Sequence, residues 1–141
     1  MQLISEYDSL EHQRDICHRQ FPDAGEDLLP YWPRVYETNA YFGGWDIRPS
    51  NVYWSVGEFD PWRSLDPLSN ETWAPHPVST QQVPACGVST DMSSIFSYII
   101  PNAEHASDFS TRYFPESDVS KKYFSDALAE WLECWQPPVR P

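Results

Sequence analysis

The second half of the sequence has three features that predict an α/β fold. Residues 51–57 and 93–101 are short runs rich in β-branched and aromatic residues, which is typical of packed strands. Each run ends at a glycine or proline that acts as a turn signal. An amphipathic stretch over residues 118–135 follows and indicates a helix. We therefore expect an α/β domain in which two short strands are followed by a helix.

The first half of the chain is predicted to contain one helix and a long loop. Apolar residues at spacings of three, four and seven indicate a helix over residues 3–21. These residues are Leu3, Tyr7, Leu10, Cys17 and Phe21. Residues 22–50 are rich in proline and aromatic residues and are predicted to be a loop. Residues 61–91 also lack a clear period, and a loop of that length is usually functional or disordered.

The final helix has the clearest pattern in the chain. Its apolar residues alternate in steps of four, one and three, which gives a broad stripe of the kind that normally packs into a core. The stripe consists of Val119, Tyr123, Phe124, Ala127, Leu128, Trp131, Leu132 and Trp135. Ser117 or Asp118 is the expected N-cap, and Pro137-Pro138 is the expected end.

Composition and charge exclude several classes of function. The chain has 141 residues, the size of one domain, and a formal net charge of −12 at pH 7. Nucleic-acid binding needs clustered Lys and Arg, so no nucleic-acid partner is expected. No apolar run approaches the roughly 20 residues of a membrane-spanning helix, so no membrane partner is expected. The first residues also lack the basic and apolar regions of a signal peptide.

Cysteines and a glycosylation signal nevertheless suggest a secreted protein. Cys86 precedes the second strand and Cys134 ends the final helix, so these two are the candidates for a disulfide. Cys17 makes the count odd, which is awkward for a self-contained secreted fold. Asn70 begins an Asn-Glu-Thr glycosylation signal in a polar loop. The alternatives are inert thiols and a signal that arose by chance.

Metal binding is weakly indicated. His12, Cys17 and His18 are metal-ligand types on neighbouring helical turns, but a structural zinc site needs a fourth ligand. We predict no metal site and no cofactor.

A carboxylate and an imidazole each follow a predicted strand. Asp60 lies on the turn after the first strand and His105 on the turn after the second. In open α/β sheets, ligands and catalytic groups lie at the carboxyl ends of the strands. An Asp there can hydrogen-bond a His, fix its tautomer and stabilise the imidazolium formed when the His takes a proton. Considered separately, an Asp before a proline is most often a turn residue, and a loop His is most often solvated.

Two segments resemble a known peptidase family. They are NVYWSVGEFDPW, residues 51–62, and IFSYIIPNAEHASDF, residues 95–109. Both are similar to the C-terminal part of the prolyl carboxypeptidase and dipeptidyl peptidase 2 family of serine peptidases, especially its fungal branch. The resemblance covers nearly the whole chain. It implies that Asp60 is the triad acid, that His105 is the triad base, and that Trp62 helps to line a pocket for a substrate proline. Ala106 departs from the animal enzymes, which often carry a second His there.

The resemblance also implies an architecture and a location. It implies the C-terminal part of an α/β-hydrolase fold, with the last two parallel strands and the final helix, incomplete as a stand-alone domain. Residues 1–44 would end a helical cap, and residues 45–141 would belong to the core. Cys17 would have its partner upstream in the parent protein. The parent would be secreted, vacuolar or lysosomal, and would act on peptides with a proline near the cleaved bond.

The nucleophile is the missing part of this expectation. The motif G-x-S-x-G occurs nowhere in the sequence, and Ser55 and Ser89 each have only half of it. We therefore expect a segment of a secreted serine exopeptidase that is inactive alone, with carboxypeptidase and dipeptidyl peptidase activities both open. The alternative is a non-catalytic acidic binding protein whose exposed aromatic residues stack on carbohydrate or peptide.

Overall fold

A computed structural model describes Ser5 and residues 8–109 and 115–136 of the chain. The chain divides into two units, Met1–Phe42 and Gly43–Pro141. The first is helical and the second is mixed α/β. Within the described residues, no helix has the length and apolar character needed to cross a membrane.

The first unit begins with helix α1, Leu10–Gln20, which is shorter than the predicted helix. Ser9 is extended and its hydroxyl accepts a hydrogen bond from the His12 N–H at 3.2 Å, so the helix starts there with a side-chain cap. The Phe21 N–H donates to the Cys17 carbonyl and closes the other end. Leu3 and Tyr7, which contributed to the predicted stripe, lie outside the described residues.

A second helix, α2, Val35–Phe42, lies where a loop was predicted. Its eight residues are too few to establish a helical period, and the prolines before it favoured a loop. Gly43 follows with a positive φ of 94°, the left-handed conformation that commonly ends a helix. The prediction of a continuous loop over residues 22–50 is therefore wrong.

The second unit contains a three-stranded parallel sheet. Its strands are β1, Trp54–Gly57, β2, Val78–Thr80, and β3, Ser94–Ile100, in the spatial order β1-β3-β2. The parallel pairing of the two predicted strands is confirmed, since Trp54 pairs with Ser97 and Gly57 with Ile100. Strand β2 was missed, and the expected number of strands is wrong for this reason. Its three residues owe their strand conformation to pairing with β3, which a local pattern cannot show.

Helix α3, Pro115–Glu133, packs against one face of this sheet. It starts earlier than predicted, at a proline that suits a first helical turn. Ser117, a predicted N-cap, instead lies inside the helix and is buried, with its hydroxyl donating to the Ser107 carbonyl at 3.2 Å. The predicted end at Pro137-Pro138 lies outside the described residues.

Adjacent residues of β3 pack into two separate hydrophobic clusters, because their side chains point to opposite faces of the sheet. Phe96 faces α3 and packs with Ala127 and Trp131, and its ring meets the Trp131 ring edge-on with centroids 6.0 Å apart. Ile95 faces the other way and packs with Val56 and Leu68. This alternation follows from the two-residue period of a strand and makes β3 the centre of the unit.

Only part of the predicted stripe of α3 is buried. An exposed row remains and consists of Phe124, Leu128 and Leu132 on the helix and Trp135 just beyond its end, and Val119 is exposed as well. The expectation that the whole stripe is core is therefore wrong for this row, because the sheet contacts only the side of α3 that carries Ala127 and Trp131.

A disulfide joins Cys86 to Cys134, with their Cα atoms 6.4 Å apart. It links the segment between β2 and β3 to the residue that follows α3. The Trp131 indole N–H adds a hydrogen bond to the Pro84 carbonyl at 2.9 Å in the same region. Cys17 is free and exposed.

We predict that the Cys86→Ser/Cys134→Ser double variant is less stable by about 2–4 kcal/mol, because the unfolded chain regains the freedom of a long loop. Urea unfolding followed by circular dichroism measures the change. Cys17→Ser is the control and should change stability by less than about 0.5 kcal/mol. Equal stability of the double variant and the control would contradict a structural disulfide.

Candidate active site

The candidate site is built where β1 and β3 end together. Gly57 and Ile100 are paired residues and are the last residues of their strands. The turns that follow therefore start side by side at one edge of the sheet. Asp60 is three residues beyond the first end and His105 five residues beyond the second.

Backbone contacts hold these two turns together. The Glu58 N–H donates to the Ile100 carbonyl at 3.0 Å, and the Phe59 N–H donates to the Ala103 carbonyl at 2.9 Å. The Glu58 carboxylate accepts from the Asn102 N–H at 2.9 Å. Glu58 thus ties one turn to the other through both its backbone and its side chain.

Gly57 is required for this close approach. A Cβ atom at this position would lie 2.5 Å from the carbonyl oxygens of Ala103 and Glu104, far inside van der Waals contact. A glycine at the end of a strand commonly marks such an approach of two backbones. The sequence contained this signal, which was interpreted only as a strand terminator.

Asp60 is held by a short 3₁₀ turn, Pro61–Leu65. Its side chain caps this turn by accepting a hydrogen bond from the Trp62 N–H at 2.9 Å, and Pro61 suits the first position. Only 8% of the Asp60 side chain is exposed. The local sequence therefore fixes where the carboxylate points before His105 is considered.

His105 lies against this carboxylate. Its Nδ1 atom is 3.0 Å from Asp60 Oδ2 and 3.2 Å from Oδ1. The His105 side chain is 62% exposed. With Nδ1–H donated to the carboxylate, Nε2 is the atom that can accept a proton from another group. The structure thus brings Asp60 and His105 together in the geometry of an acid-oriented base.

The residue after His105 is conformationally strained. Ala106 has a φ of 54°, in the left-handed region that costs a non-glycine residue about 1–2 kcal/mol. Its carbonyl accepts from the Phe109 N–H, which forms a single 3₁₀ turn, Ser107–Phe109. The strain is compatible with a functional turn, because such conformations persist where the surroundings enforce them.

Sequence analysis missed a second polar pair beside this site. The Ser55 hydroxyl donates to Asp108 Oδ2, and thereby ties the turn that follows His105 to β1. The spacing of three residues between His105 and Asp108 was the sequence signal that could have indicated a role for Asp108. Its partner Ser55, however, is 53 residues away in sequence. Ser55 is thus occupied within a strand and does not lie on a strand-to-helix turn. Ser89 is exposed in the segment before β3. It therefore lies at the amino end of this strand, whereas His105 follows the carboxyl end.

A cleft of about 370 Å³ opens beside the pair. Its lining is formed by Tyr53, Trp54, Ser55, Val56, Gly57, Asp60, His105, Ala106, Asp108 and Phe109. Burial raises the pKa of Tyr53 to about 12, although its hydrogen bond with Ser120 opposes this. Tyr53 is therefore a neutral hydrogen-bonding wall of the cleft and not a candidate base at physiological pH.

Asp66 lies close enough to Asp60 to be affected by its charge. Burial raises the pKa of Asp66, the hydrogen bond from the Leu68 N–H opposes the rise, and the negative charge of Asp60 adds to it. The Asp66 side chain accepts that bond at 2.8 Å. Asp66 therefore holds the backbone of the loop at Leu68. Among the described residues, the hydrogen bonds of the His105 ring are to Asp60 and not to Asp66.

The other predicted site residues lie at the surface. The Trp62 ring is 61% exposed and is not part of the cleft lining. Asn70 is exposed in the loop after the 3₁₀ turn. Among the described residues, no group of three or more His, Cys, Asp or Glu residues is arranged to hold a metal ion.

Comparison with known proteins adds no family: no protein-family model, no curated protein and no solved structure matches this chain. Its function must therefore be argued from the geometry of Asp60, His105 and their surroundings.

We predict that Gly57→Ala destabilises the second unit by about 1–3 kcal/mol, because the added methyl group overlaps two carbonyl oxygens. Urea unfolding measures the loss. Gly25→Ala is the matched control, since a Cβ there meets no atom within 4 Å. If the two variants have the same stability, the close approach at Gly57 is wrong.

We also predict that neutral His105 carries its proton on Nδ1, because Asp60 accepts from that atom. Two-dimensional ¹⁵N NMR of the imidazole, at a pH where the ring is uncharged, distinguishes the tautomers. Asp60→Asn should populate the Nε2–H tautomer, since the amide can donate where the carboxylate only accepts. Asp66→Asn, which removes a nearby charge without touching the ring, should leave the tautomer unchanged. An Nε2–H tautomer in the unmodified chain would rule out the assigned geometry.

Proposed function

We propose that this chain carries the acid and base of a serine-type exopeptidase that cleaves peptide bonds next to proline. The observation that carries the proposal is the 3.0 Å contact between His105 Nδ1 and the Asp60 carboxylate. The pair lies at the carboxyl ends of neighbouring parallel strands, where α/β enzymes place their chemistry. The prolyl carboxypeptidase and dipeptidyl peptidase 2 family, an α/β-hydrolase family, is the one that the two sequence segments resemble.

The pair supports a defined sequence of proton transfers. His105 Nε2 takes the proton of a serine hydroxyl as that oxygen attacks the carbonyl carbon of the scissile bond. Asp60 stabilises the imidazolium and keeps Nε2 directed toward the reacting atoms. The same proton then passes to the leaving amine, and water later releases the acyl group by the same base.

The serine and one oxyanion donor would come from a G-x-S-x-G segment, which these 141 residues do not contain, and the second donor would come from a separate loop. We therefore assign this chain the proton-transfer part of the active site only. Ser55 does not fill the gap, because its hydroxyl is committed to Asp108.

Trp62 is the proposed contact for the substrate proline. It directly follows the Asp60-Pro61 turn, and its ring is open to a ligand. Aromatic faces are suitable surfaces for a proline ring because they bury apolar area without leaving an unpaired polar group.

A secreted, vacuolar or lysosomal parent protein fits this proposal. The Cys86–Cys134 disulfide is of the kind that persists in oxidising compartments, and Asn70 is exposed. Both features favour a chain that passes through the secretory pathway.

A second candidate function is aromatic recognition by a non-catalytic protein. It is favoured by the exposed ring of Trp73, which meets Trp45 edge-on with centroids 5.5 Å apart. Such a pair can stack on a sugar or a proline-rich peptide. The two functions differ in their dependence on His105, which aromatic recognition does not need.

We predict that the chain alone neither hydrolyses a prolyl peptide nor reacts with a fluorophosphonate probe. Fused behind the protein segment encoded directly upstream in the same reading frame, it should do both. In the fusion, His105→Ala should lower kcat by about 10⁴–10⁶-fold and Asp60→Asn by about 10⁴-fold. His76→Ala, which removes an exposed loop His, is the control and should leave kcat unchanged. Fusion activity that survives His105→Ala, or an upstream segment without a nucleophile, would sink the proposal.

A further inference from the structure

A groove in the first unit has the features of a second binding site. It has a volume of about 620 Å³ and lies between α1 and the segment that leads into α2. Its lining is formed by Leu10, Gln13, Arg14, Cys17, His18, Leu29, Pro30, Tyr31, Trp32, Pro33 and Val35. All of these residues belong to the unit Met1–Phe42, so the groove is independent of the Asp60–His105 site.

Most of the groove is apolar and open. Leu10, Tyr31, Trp32 and Val35 are each at least 46% exposed, although they lie beside one another along its walls. Soluble proteins rarely leave adjacent large apolar side chains uncovered unless the surface binds something. The exposed apolar walls therefore indicate a ligand with an apolar body, and the polar side chains of the groove indicate which polar group it carries.

Arg14 supplies the first polar feature. Its guanidinium lies over the Tyr31 ring, 4.0 Å from the centroid, and 5.2 Å from the Trp32 centroid. Nε and Nη2 donate to Asp15 Oδ1 at 3.1 and 2.6 Å, which fixes the plane of the group. Nη1 is buried and has no hydrogen-bond partner among the described residues. Asp15 thus holds one edge of the guanidinium and Tyr31 adds a weaker side-chain interaction, while Nη1 is left without a partner in a residue that lines the groove.

His18 supplies the second polar feature of the groove. It lies one helical turn after Arg14 on the same side of α1, where Cβ atoms are about 5–6 Å apart. Its Nε2 atom is also buried without a partner within the described part of the chain. Two buried nitrogens without partners in one groove are unusual, because native proteins satisfy nearly all buried polar groups.

We propose that this groove binds a small carboxylate attached to an apolar body, such as an arylalkanoic acid or the free C-terminus of an apolar peptide. The carboxylate would accept from Arg14 Nη1 and from the His18 Nε2–H, and the apolar body would cover Tyr31 and Trp32. A guanidinium already fixed by Asp15 and two rings loses little freedom on binding, which favours a directional contact with a planar carboxylate.

The charge of the protein supports a singly charged ligand. The net charge of −12 disfavours polyanions, while Arg14 and His18 give this groove donors without a lining carboxylate. Asp15, the nearest acid to Arg14, is not among the lining residues.

Binding is tested with the full chain and four probes by calorimetry. The probes are 3-phenylpropanoate, N-acetyl-phenylalanine-leucine with a free carboxylate, and the amide of each. The carboxylates should saturate, and the amides should bind at least tenfold more weakly because the charge-assisted hydrogen bonds are lost. A preference for the dipeptide identifies a peptide C-terminus as the source of the carboxylate, and a preference for 3-phenylpropanoate identifies a free acid.

Variants assign the contact to named atoms. Arg14→Lys keeps the charge but loses the planar edge, and should weaken carboxylate binding about 10–100-fold. His18→Gln should also weaken it, whereas Arg19→Gln, on the same helix but outside the groove, should not. Circular dichroism checks that α1 remains folded.

Cys17, exposed at the groove, gives a second readout: bound carboxylate should slow its reaction with the neutral reagent 4,4′-dithiodipyridine. Equal binding of acids and amides, unaltered binding by Arg14→Lys, or no saturation at several millimolar would each overturn the proposal.

Discussion

The meeting of two backbones at the carboxyl ends of β1 and β3 is the constraint on which the candidate active site depends. Gly57 has no side chain because two carbonyl oxygens of the opposite turn occupy the space where a Cβ would lie. Hydrogen bonds from Glu58 and Phe59 then join the turns directly. Because the turns are fixed to each other, Asp60 and His105 meet without either side chain having to span a gap. The site is therefore a consequence of strand register, which also makes it sensitive to any change that separates the two strand ends.

Burial differs sharply between the two members of the pair. The Asp60 side chain is 8% exposed and would be costly to bury without hydrogen bonds, but it accepts from the Trp62 N–H and from His105. The His105 ring is 62% exposed and can receive a proton from a group placed over Nε2. A buried, immobile acid and an accessible base is the division of roles that proton transfer requires.

Sequence patterns predicted the parts of this arrangement that are encoded locally. Gly57 and Pro61 marked the end of β1, so the position of Asp60 on a turn followed from turn chemistry. The β-branched and aromatic content of residues 93–101, with the proline that ends this run, likewise marked a strand whose end carries His105. Parallel pairing was expected only from the hypothesis that Asp60 and His105 form one site, because the carboxyl ends of two neighbouring strands share an edge only when the strands are parallel. These elements, with α3, account for most of the second unit.

Elements that depend on distant partners were not predictable in this way. Strand β2 has three residues and exists because it pairs with β3, and α2 has too few residues for a period to appear. The hydrogen bond between Ser55 and Asp108 joins a residue of β1 to a residue of the turn after His105, 53 positions away, so neither residue alone signals the other. The N-cap of α3 was misplaced because Ser117, a good capping residue, is instead used inside the helix to bond Ser107. In each case tertiary contacts overrode or replaced the local signal.

The exposure of His105 also has an electrostatic consequence for the proposed chemistry. An ion pair facing water is weakened by the high dielectric constant of the solvent, whereas the same pair under a covering segment is strengthened several-fold. A segment that brings a serine hydroxyl to Nε2 must cover the ring in doing so, because the hydroxyl oxygen has to lie within about 3 Å of that nitrogen. The nucleophile and the low-dielectric environment would thus arrive together. The Asp–His pair would then lie in a less polar environment together with the nucleophilic serine whose proton it accepts, and the cleft lined by Tyr53, Asp108 and the pair itself is open to such a segment.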